Sequence, residues 1–339
     1  MTNSRGLSVI IPVFRLATSV EECLGALRSS ISLRDEIILV VDGAGHDSLK
    51  WEDGVRVLTL ERCMGPAGAR NAGSNLATNG LLLFVDSDIV VPAGAVEAIR
   101  ATMDDPKLAA AFGSYDDAPA DPGFLSQYRN LLHHYTHQQN GGQATTFWAG
   151  FGIVRSSVFL EIGGFLEDYG RPCVEDIELG MRIASSGSKI RLCPEIQVKH
   201  LKRWRSWNMV KTDILDRAVP WSRLILERRV RADSLNTSWA ARLSALCVFA
   251  VLGSALSGLF FPMMLAVGLV FLFLLVLINH GFFRFLARVR GPVFALASIP
   301  WYGFYLFYSS LSFAAVMTSH HLVNSWSWIR SLFKFRTKL

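Results

Sequence analysis

The sequence predicts an α/β fold, a largely parallel sheet with helices on its faces, followed by apolar helices of membrane type. Three observations carry that expectation. Between residues 7 and 200, short apolar runs alternate with helical patterns, the rhythm of units that build parallel sheets. Two of the runs end in carboxylates, at Val40-Val41-Asp42 and Phe84-Val85-Asp86-Ser87-Asp88, and the carboxyl rim is where open α/β sheets bind ligands. Residues 243–283 and 291–329 contain no Asp, Glu, Lys or Arg, longer uncharged runs than a globular core requires.

Leu7 to Val13 is the first strand. Ser19 and Glu22 stand in capping-box spacing ahead of Cys23, Leu24 and Leu27 and open a helix. Glu36 to Val41 and Val55 to Leu60 are the next strands. Gly65-Pro66 opens a small-residue helix over Ala67 to Ala77, with proline at the first helical position, where its missing N–H has no partner to lose. Leu81 to Val85 delivers the acidic pair, Pro92 to Met103 is a helix and Leu108 to Phe112 a strand. The rhythm then changes. Gly123 to Gln139 is a helix rich in aromatics and histidine, Thr145 to Arg155 a strand and Gly163-Gly164-Phe165 a turn. Val174 to Ser185 is a helix with an acidic first turn, and Lys189 to Leu192 and Ile196 to His200 are two short strands.

A chain of 339 residues suggests about two domains. The first charge-free stretch has the length of two spans broken near Pro262, and the second holds one over about Val293 to Val316. The expected divisions are a soluble α/β domain over 1–205, a basic interfacial linker over 206–238, a membrane region over 239–318 and a basic tail over 319–339. Lys199 to Arg231 holds 10 Lys/Arg against 3 Asp/Glu. A basic belt beside a span marks the cytoplasmic side and favours anionic lipid headgroups, a better partner here than nucleic acid. Arg284, Arg288 and Arg290 put the loop after the hairpin on the same side, whereas a full third span would put Arg330, Lys334, Arg336 and Lys338 outside. Either the segment around Pro300 re-enters or the tail lies at the interface. Ser8 to Phe14 is too short for a signal-peptide core, so the expectation is a multi-pass protein of the inner membrane with its α/β domain in the cytosol. Cys23, Cys63, Cys173, Cys193 and Cys247 show no metal-type spacing and fit a reducing compartment.

Asp86 and Asp88 form a rigid pair that suits a magnesium-type ion shared with a diphosphate, although Asp-Ser-Asp is also a common turn. Asp42 suits a nucleotide base or ribose hydroxyl and, compatibly with that, an Asx-turn into Gly43. Arg70 either meets phosphate at the rim or is a solvated helix-face arginine. Asp176 is the candidate general base, a group that must be ionised and within reach of the attacking hydroxyl. Glu175 and Glu178 would point elsewhere on the helix, and the helix dipole alone also favours these acids. In His200-Leu201-Lys202-Arg203-Trp204, His200 suits a metal, Arg203 a diphosphate, and Trp204 a sugar face or an interfacial anchor. His133, His134 and His137 lack an acidic partner motif and read as a polar face or an acceptor-side lining.

Taken together, these segments resemble the family 2 glycosyltransferases with a GT-A fold, a Rossmann-like mixed sheet flanked by helices. The matching pieces are Ser8-Val9-Ile10-Ile11-Pro12-Val13-Phe14, Val40-Val41-Asp42-Gly43, Gly65-Pro66-Ala67-Gly68-Ala69-Arg70-Asn71-Ala72-Gly73, Asp86-Ser87-Asp88, Glu175-Asp176 and His200-x-x-Arg203-Trp204. They run in order from residue 7 to about 205, and the chain looks especially like bacterial members that append membrane helices. The resemblance implies a nucleotide-diphosphate-sugar donor, a divalent metal (Mg or Mn), and inverting transfer to a lipid or lipid-linked glycan at the cytoplasmic face. It implies Pro12, Phe14, Asp42, Arg70, Asp86, Ser87 and Arg203 at the nucleotide and diphosphate, and Asp88 and His200 at the metal. Asp176 would deprotonate the acceptor hydroxyl, with Trp148, Glu175 and Trp204 on the acceptor side; Trp148 is equally suited to a core.

The pattern departs from the family where Arg15 replaces a usual asparagine and Val41 the first of two common aspartates. His200 stands where processive members have glutamine, which argues against polymerisation and tilts the ligand preference toward Mn. Two rivals remain at this level. A catalytically inactive nucleotide-sugar or partner-binding module has no need of Asp86, Asp88 and Asp176 together. A sugar nucleotidyltransferase needs a Gly-rich basic loop after the first strand, where this chain has Phe14-Arg15-Leu16-Ala17.

Overall fold

The computed structural model describes residues 6–14, 18–43, 54–228 and 239–334. Arg15, Arg336 and Lys338 lie outside the described residues. The chain divides into two units, Met1–Arg205 and Ser206–Leu339.

In the first unit, β1 (Leu7–Val13), β2 (Glu36–Asp42), β3 (Val55–Leu60) and β4 (Leu81–Val85) pair in parallel in the order β3-β2-β1-β4. β1, β2 and β4 are near-continuous apolar runs because both faces of a parallel sheet are covered. Alternate residues point to opposite faces. Val9, Ile11 and Val13 pack with Val20, Cys23, Leu24 and Leu27 of α1 (Thr18–Arg28). Ile10, Ile38, Val40 and Phe84 pack with Ala67 and Ala69 of α2 (Gly65–Leu76).

Beyond β4 the sheet is mixed, not largely parallel. The chain continues through β5 (Ile89–Val90), α3 (Ala95–Thr102), β6 (Leu108–Tyr115), α4 (Phe124–Gln139), β7 (Gly142–Ala144), β8 (Phe151–Arg155), α5 (Ser156–Ile162), α6 (Glu175–Ser185) and β9 (Lys189–His200). β8 lies antiparallel between β4 and β6, while β9 runs parallel to β6 and carries β7 and β5 antiparallel. The strand expected from Thr145 begins only at Phe151, since residues 145–150 take an irregular path to the rim. The two short strands expected around Pro194 are one. Its pairing shifts, with Phe112 opposite Leu192 and Ser114 opposite Gln197, so the proline sits at an irregularity where no ladder bond is lost. The two backbones close in here, and a Cβ on Gly113 would lie 2.5 Å from the Ile196 carbonyl oxygen; only glycine fits.

Glu36 ties the start of β2 to its neighbours. Its carboxylate accepts from Ser8 Oγ (2.6 Å), from Thr78 N and Oγ1 (2.7 Å each) and from Arg56 Nη1 (2.8 Å). Burial favours the neutral acid, but these hydrogen bonds outweigh it and hold the pKa down from 4.5 to about 2. A depressed folded pKa means stabilisation that is complete above the unfolded value and lost as pH falls through about 2. Glu36→Gln is expected to cost about 1.5–3 kcal/mol at neutral pH and less than half of that at about pH 3, as read by urea denaturation at both.

The second unit is helical: α7 (Ser206–Thr212), a π-helical turn (Asp213–Ala218), α8 (Val219–Arg228), α9 (Trp239–Ser257), α10 (Met263–Ile278), α11 (His280–Arg290) and α12 (Pro292–Lys334). Buried Asp213 accepts from Tyr308 Oη at 2.7 Å and Arg217 Nη1 at 3.1 Å, tying the π turn to α12. Among the described residues one helix, α9, is by itself long and apolar enough to cross a membrane. α10 is shorter and bends by 72° into α11; the pair together has the length and apolarity of a second crossing. Asn279 marks the bend, donating to Ser244 Oγ and the Leu275 carbonyl and accepting from Tyr302 Oη. The uncharged stretch from residue 291 is part of a single 43-residue helix that continues through Pro300.

Candidate active site

The parallel strands end together, so β1, β2 and β4 deliver Phe14, Asp42 and Asp86 to one rim. Because β8 is antiparallel to β4, the segment that precedes it arrives at the same rim, and Asp86 N donates to the Gly150 carbonyl at 3.0 Å. α6 brings its acidic first turn there too. A Cβ on Gly180 would lie 2.2 Å from Phe147 N, so the missing side chain lets α6 press against the 146–149 backbone. Asp176 Oδ2 consequently accepts from Ala149 N at 3.1 Å, and its Oδ1 from Ile177 N at 2.8 Å.

The two acidic groups meet through Arg70. Its guanidinium donates to Asp86 Oδ1 at 2.7 Å and to Glu175 Oε1 at 2.9 Å, with only 5% of its side chain exposed. Burial disfavours this charge, but Asp86, Glu175 and Asp176 outweigh it and hold the guanidinium firmly protonated. Arg70 is therefore neither a solvated helix residue nor a free phosphate ligand; it is the internal cation of an acidic cluster. Glu175, expected toward the acceptor, turns inward onto Arg70 and takes Cys173 N at 2.8 Å on its other oxygen. Burial, then the Glu175 charge, raises the pKa of Asp176 to about 7, against the pull of Arg70 and two backbone N–H groups.

The second acid of the pair faces β9. Asp88 O accepts from Leu201 N at 2.9 Å, and Asp88 Oδ2 lies 3.6 Å from His200 Nε2. Burial would raise the Asp88 pKa, but the His200 hydrogen bond and charge, with Lys202, hold it below its ordinary value. Tyr115 stacks on a face of the His200 ring, 4.2 Å between centroids and 19° from parallel. Among the described residues no group of three or more His, Cys, Asp or Glu forms a protein-only metal cage. A divalent ion shared with a diphosphate needs only one or two protein groups, and a carboxylate facing an imidazole suits manganese. The residues present fit such an ion.

Other expected site residues lie as follows. The Asp42 carboxylate accepts from Met64 N (2.7 Å), Gly65 N (2.8 Å) and the Cys63 thiol (3.3 Å); a negative charge at the start of α2 is favoured by the helix dipole. Among the described residues its partners are those three donors. Pro12 is half-buried within β1, Phe14 is exposed just past it, and Ser87 is half-buried between the two acids. Trp148 is half-buried among Tyr115, His133 and His137. Arg203 is 71% exposed and 3.5 Å from Asp121. Trp204 is buried, its backbone N–H donating to Ser126 Oγ at 2.8 Å and its ring covered by Lys202, so it presents no open face for a sugar. Tyr115 ends β6 beyond Phe112, where the sequence predicts the strand to stop; the small residues before it give no sign of the continuation.

Residues 8–163 match the model of glycosyl transferase family 2. The chain is 27% identical over 217 residues to the pre-mycofactocin glycosyltransferase of Mycobacterium tuberculosis, covering 60% of this chain and 44% of that protein. It is 26% identical over 223 residues to the validoxylamine A glucosyltransferase of Streptomyces hygroscopicus, covering 53% and 52%. The chain thus spans about half the length of these curated relatives. Among solved structures it resembles the mannosyltransferase PcManGT of Pyrobaculum calidifontis in complex with GDP-Man and Mn2+, with a TM-score of 0.52 and 15% identity over 88% of each chain. It also resembles GalNAc-T7 with UDP, GalNAc and Mn2+, with a TM-score of 0.51 and 16% identity over 72% of this chain and 51% of that one. At these identities the likeness establishes the fold alone.

Proposed function

The chain belongs to glycosyl transferase family 2 through residues 8–163, and from that premise we propose that it moves a sugar from a nucleotide-diphosphate-sugar to a lipid or lipid-linked glycan, with inversion. The observation that carries this reading is the Arg70 bridge, which draws Asp86 of one chain segment and the Glu175-Asp176 turn of another to a single rim. Asp176, with a pKa near 7, takes the proton from the acceptor hydroxyl as its oxygen attacks the anomeric carbon. The nucleoside diphosphate leaves from the opposite face. Asp88 and His200 would hold a divalent ion there, which supplies positive charge to the departing diphosphate; the solved relatives bound to a nucleotide and Mn2+ support that class of ion. Arg70 acts indirectly, by fixing Asp86 and Glu175. Pro12, Phe14, Asp42 and Ser87 bound the donor side, with Arg203 as the exposed cation for the diphosphate, and Trp148 bounds the acceptor side.

Membrane association is supported within the second unit. α9 has the length and apolarity of a span, and Leu269, Val270, Phe273 and Leu277 of α10 point outward. Past the bend, α11 buries Phe282, Phe283, Phe285 and Leu286 but exposes Arg284 and Arg288. Outward apolar side chains that give way to arginines at a bend suit the boundary between hydrocarbon and anionic headgroups. The catalytic face would then work at the cytoplasmic leaflet.

The test is a donor screen on membranes that contain the protein, with UDP- and GDP-sugars and either Mg2+ or Mn2+, read by released nucleotide and by mass spectrometry of extracted lipids. Nucleoside diphosphate together with a glycosylated lipid is the expected product. Pyrophosphate would make the chain a nucleotidyltransferase, and no turnover with any donor would leave a binding module.

A further inference from the structure

We propose that Tyr115 is a positioning residue: its ring holds the His200 imidazole in the orientation that turns Nε2 toward Asp88. The proposal rests on the reading that Asp88 and His200 share a divalent ion. The backbone at His200 is already fixed, paired with Ile89 across β5 and β9 and followed by the Leu201 N–H to Asp88 O bond. What the backbone leaves free is rotation of the ring, and the torsion that turns an imidazole is broad, without sharp staggered wells. A ligand histidine therefore needs a partner that sets its plane, and metal sites depend on such outer contacts almost as much as on the ligands.

Tyr115 supplies that plane. Its ring lies nearly parallel to His200 at stacking distance and is itself locked. The edge of Trp148 meets it at 4.7 Å and 74°, and His133 at 4.6 Å. Its carbonyl oxygen is engaged by His134 Nδ1 at 2.8 Å, and its position at the end of β6 is set opposite Val198. Trp148 and His133 also touch each other, at 5.1 Å, so Tyr115 cannot tilt without displacing both.

The experiment titrates Mn2+ calorimetrically into the detergent-solubilised full chain saturated with UDP or, in parallel, GDP. Wild type is compared with His200→Ala, Tyr115→Phe, Tyr115→Leu, Tyr115→Met and the Tyr115→Leu/His200→Ala double variant, each checked for folding by thermal melting. Tyr115→Phe should bind Mn2+ within about twofold of wild type, whereas Tyr115→Leu and Tyr115→Met should lose about tenfold. The double variant should bind no more weakly than His200→Ala alone, because one effect passes through the other. Tyr115→Met fills the volume without a flat face and serves if Tyr115→Leu fails to fold. Near-wild-type binding by the folded Leu or Met variant overturns the proposal while leaving the metal reading intact. So does additive loss in the double variant, or a Tyr115→Phe loss equal to that of Leu. Absence of Mn2+ binding in wild type, or no effect of His200→Ala, overturns the metal reading and this proposal with it.

Discussion

Asp176→Asn is expected to cut transfer by about 10²- to 10⁴-fold while nucleotide-sugar affinity stays near the wild-type value. The amide matches the carboxylate in size and still accepts one of the two N–H groups, from Ala149 and Ile177, that orient the side chain. It cannot take a proton. Donor affinity is expected to persist because the proposed metal and diphosphate contacts belong to Asp88, His200 and Arg203, on other elements. Nucleoside diphosphate release and a donor titration, run on the same preparation, measure the two quantities. Near-normal turnover in the variant would exclude Asp176 as the base.

The same residue sets the pH dependence. A folded pKa raised to about 7 keeps Asp176 neutral below that pH and ionised above it, so the base form is lost on acidification. kcat/KM should fall about tenfold per pH unit on the acid side of an inflection near 7 and level off above it. An unshifted aspartate, with a pKa of 3.8, would leave the profile flat across that window.

Different parts of this architecture were legible in the sequence for different reasons. β1, β2 and β4 declared themselves through apolar runs of strand length, and Asp42 and Asp86 at their ends marked the rim. The direction of β8 did not, because an apolar run carries no sign of whether its neighbour is parallel. Pro194 looked like a break between two strands, yet β9 passes it where the pairing shifts. The inward turn of Arg70 leaves no local mark because its counter-ions are distant in sequence, Glu175 by 105 residues. One cue was available: a lone cation among the Gly and Ala of α2 has small neighbours on every side and is easily buried. Tyr115 was invisible for a similar reason, since stacking on His200 depends on a register shift that no local pattern encodes. In the second unit the uncharged stretches fall on α9, α10 and α12, but the Asn279 bend that turns α10 into α11 depends on partners at Ser244 and Tyr302.

Arg70→Met should destabilise the first unit by about 3–5 kcal/mol, because it leaves buried carboxylates without their cation. Glu175 has only 6% of its side chain exposed and Asp86 32%, so water replaces the lost guanidinium poorly at the first and partly at the second. Urea denaturation at neutral pH measures the loss. Arg70→Lys should recover part of the stability and little of the geometry, since an ammonium is a point charge that lacks the two fixed N–H groups that Arg70 gives to Asp86 and Glu175. Arg70→Met/Glu175→Gln should be less destabilised than the two single effects summed, because the second change neutralises a charge that the first has orphaned. Transfer should fall in Arg70→Met even where it folds: Arg70 lowers the pKa of Asp176, so removing its charge leaves less of the base ionised at neutral pH. One guanidinium therefore joins the two halves of the acidic rim and tunes the base beside them.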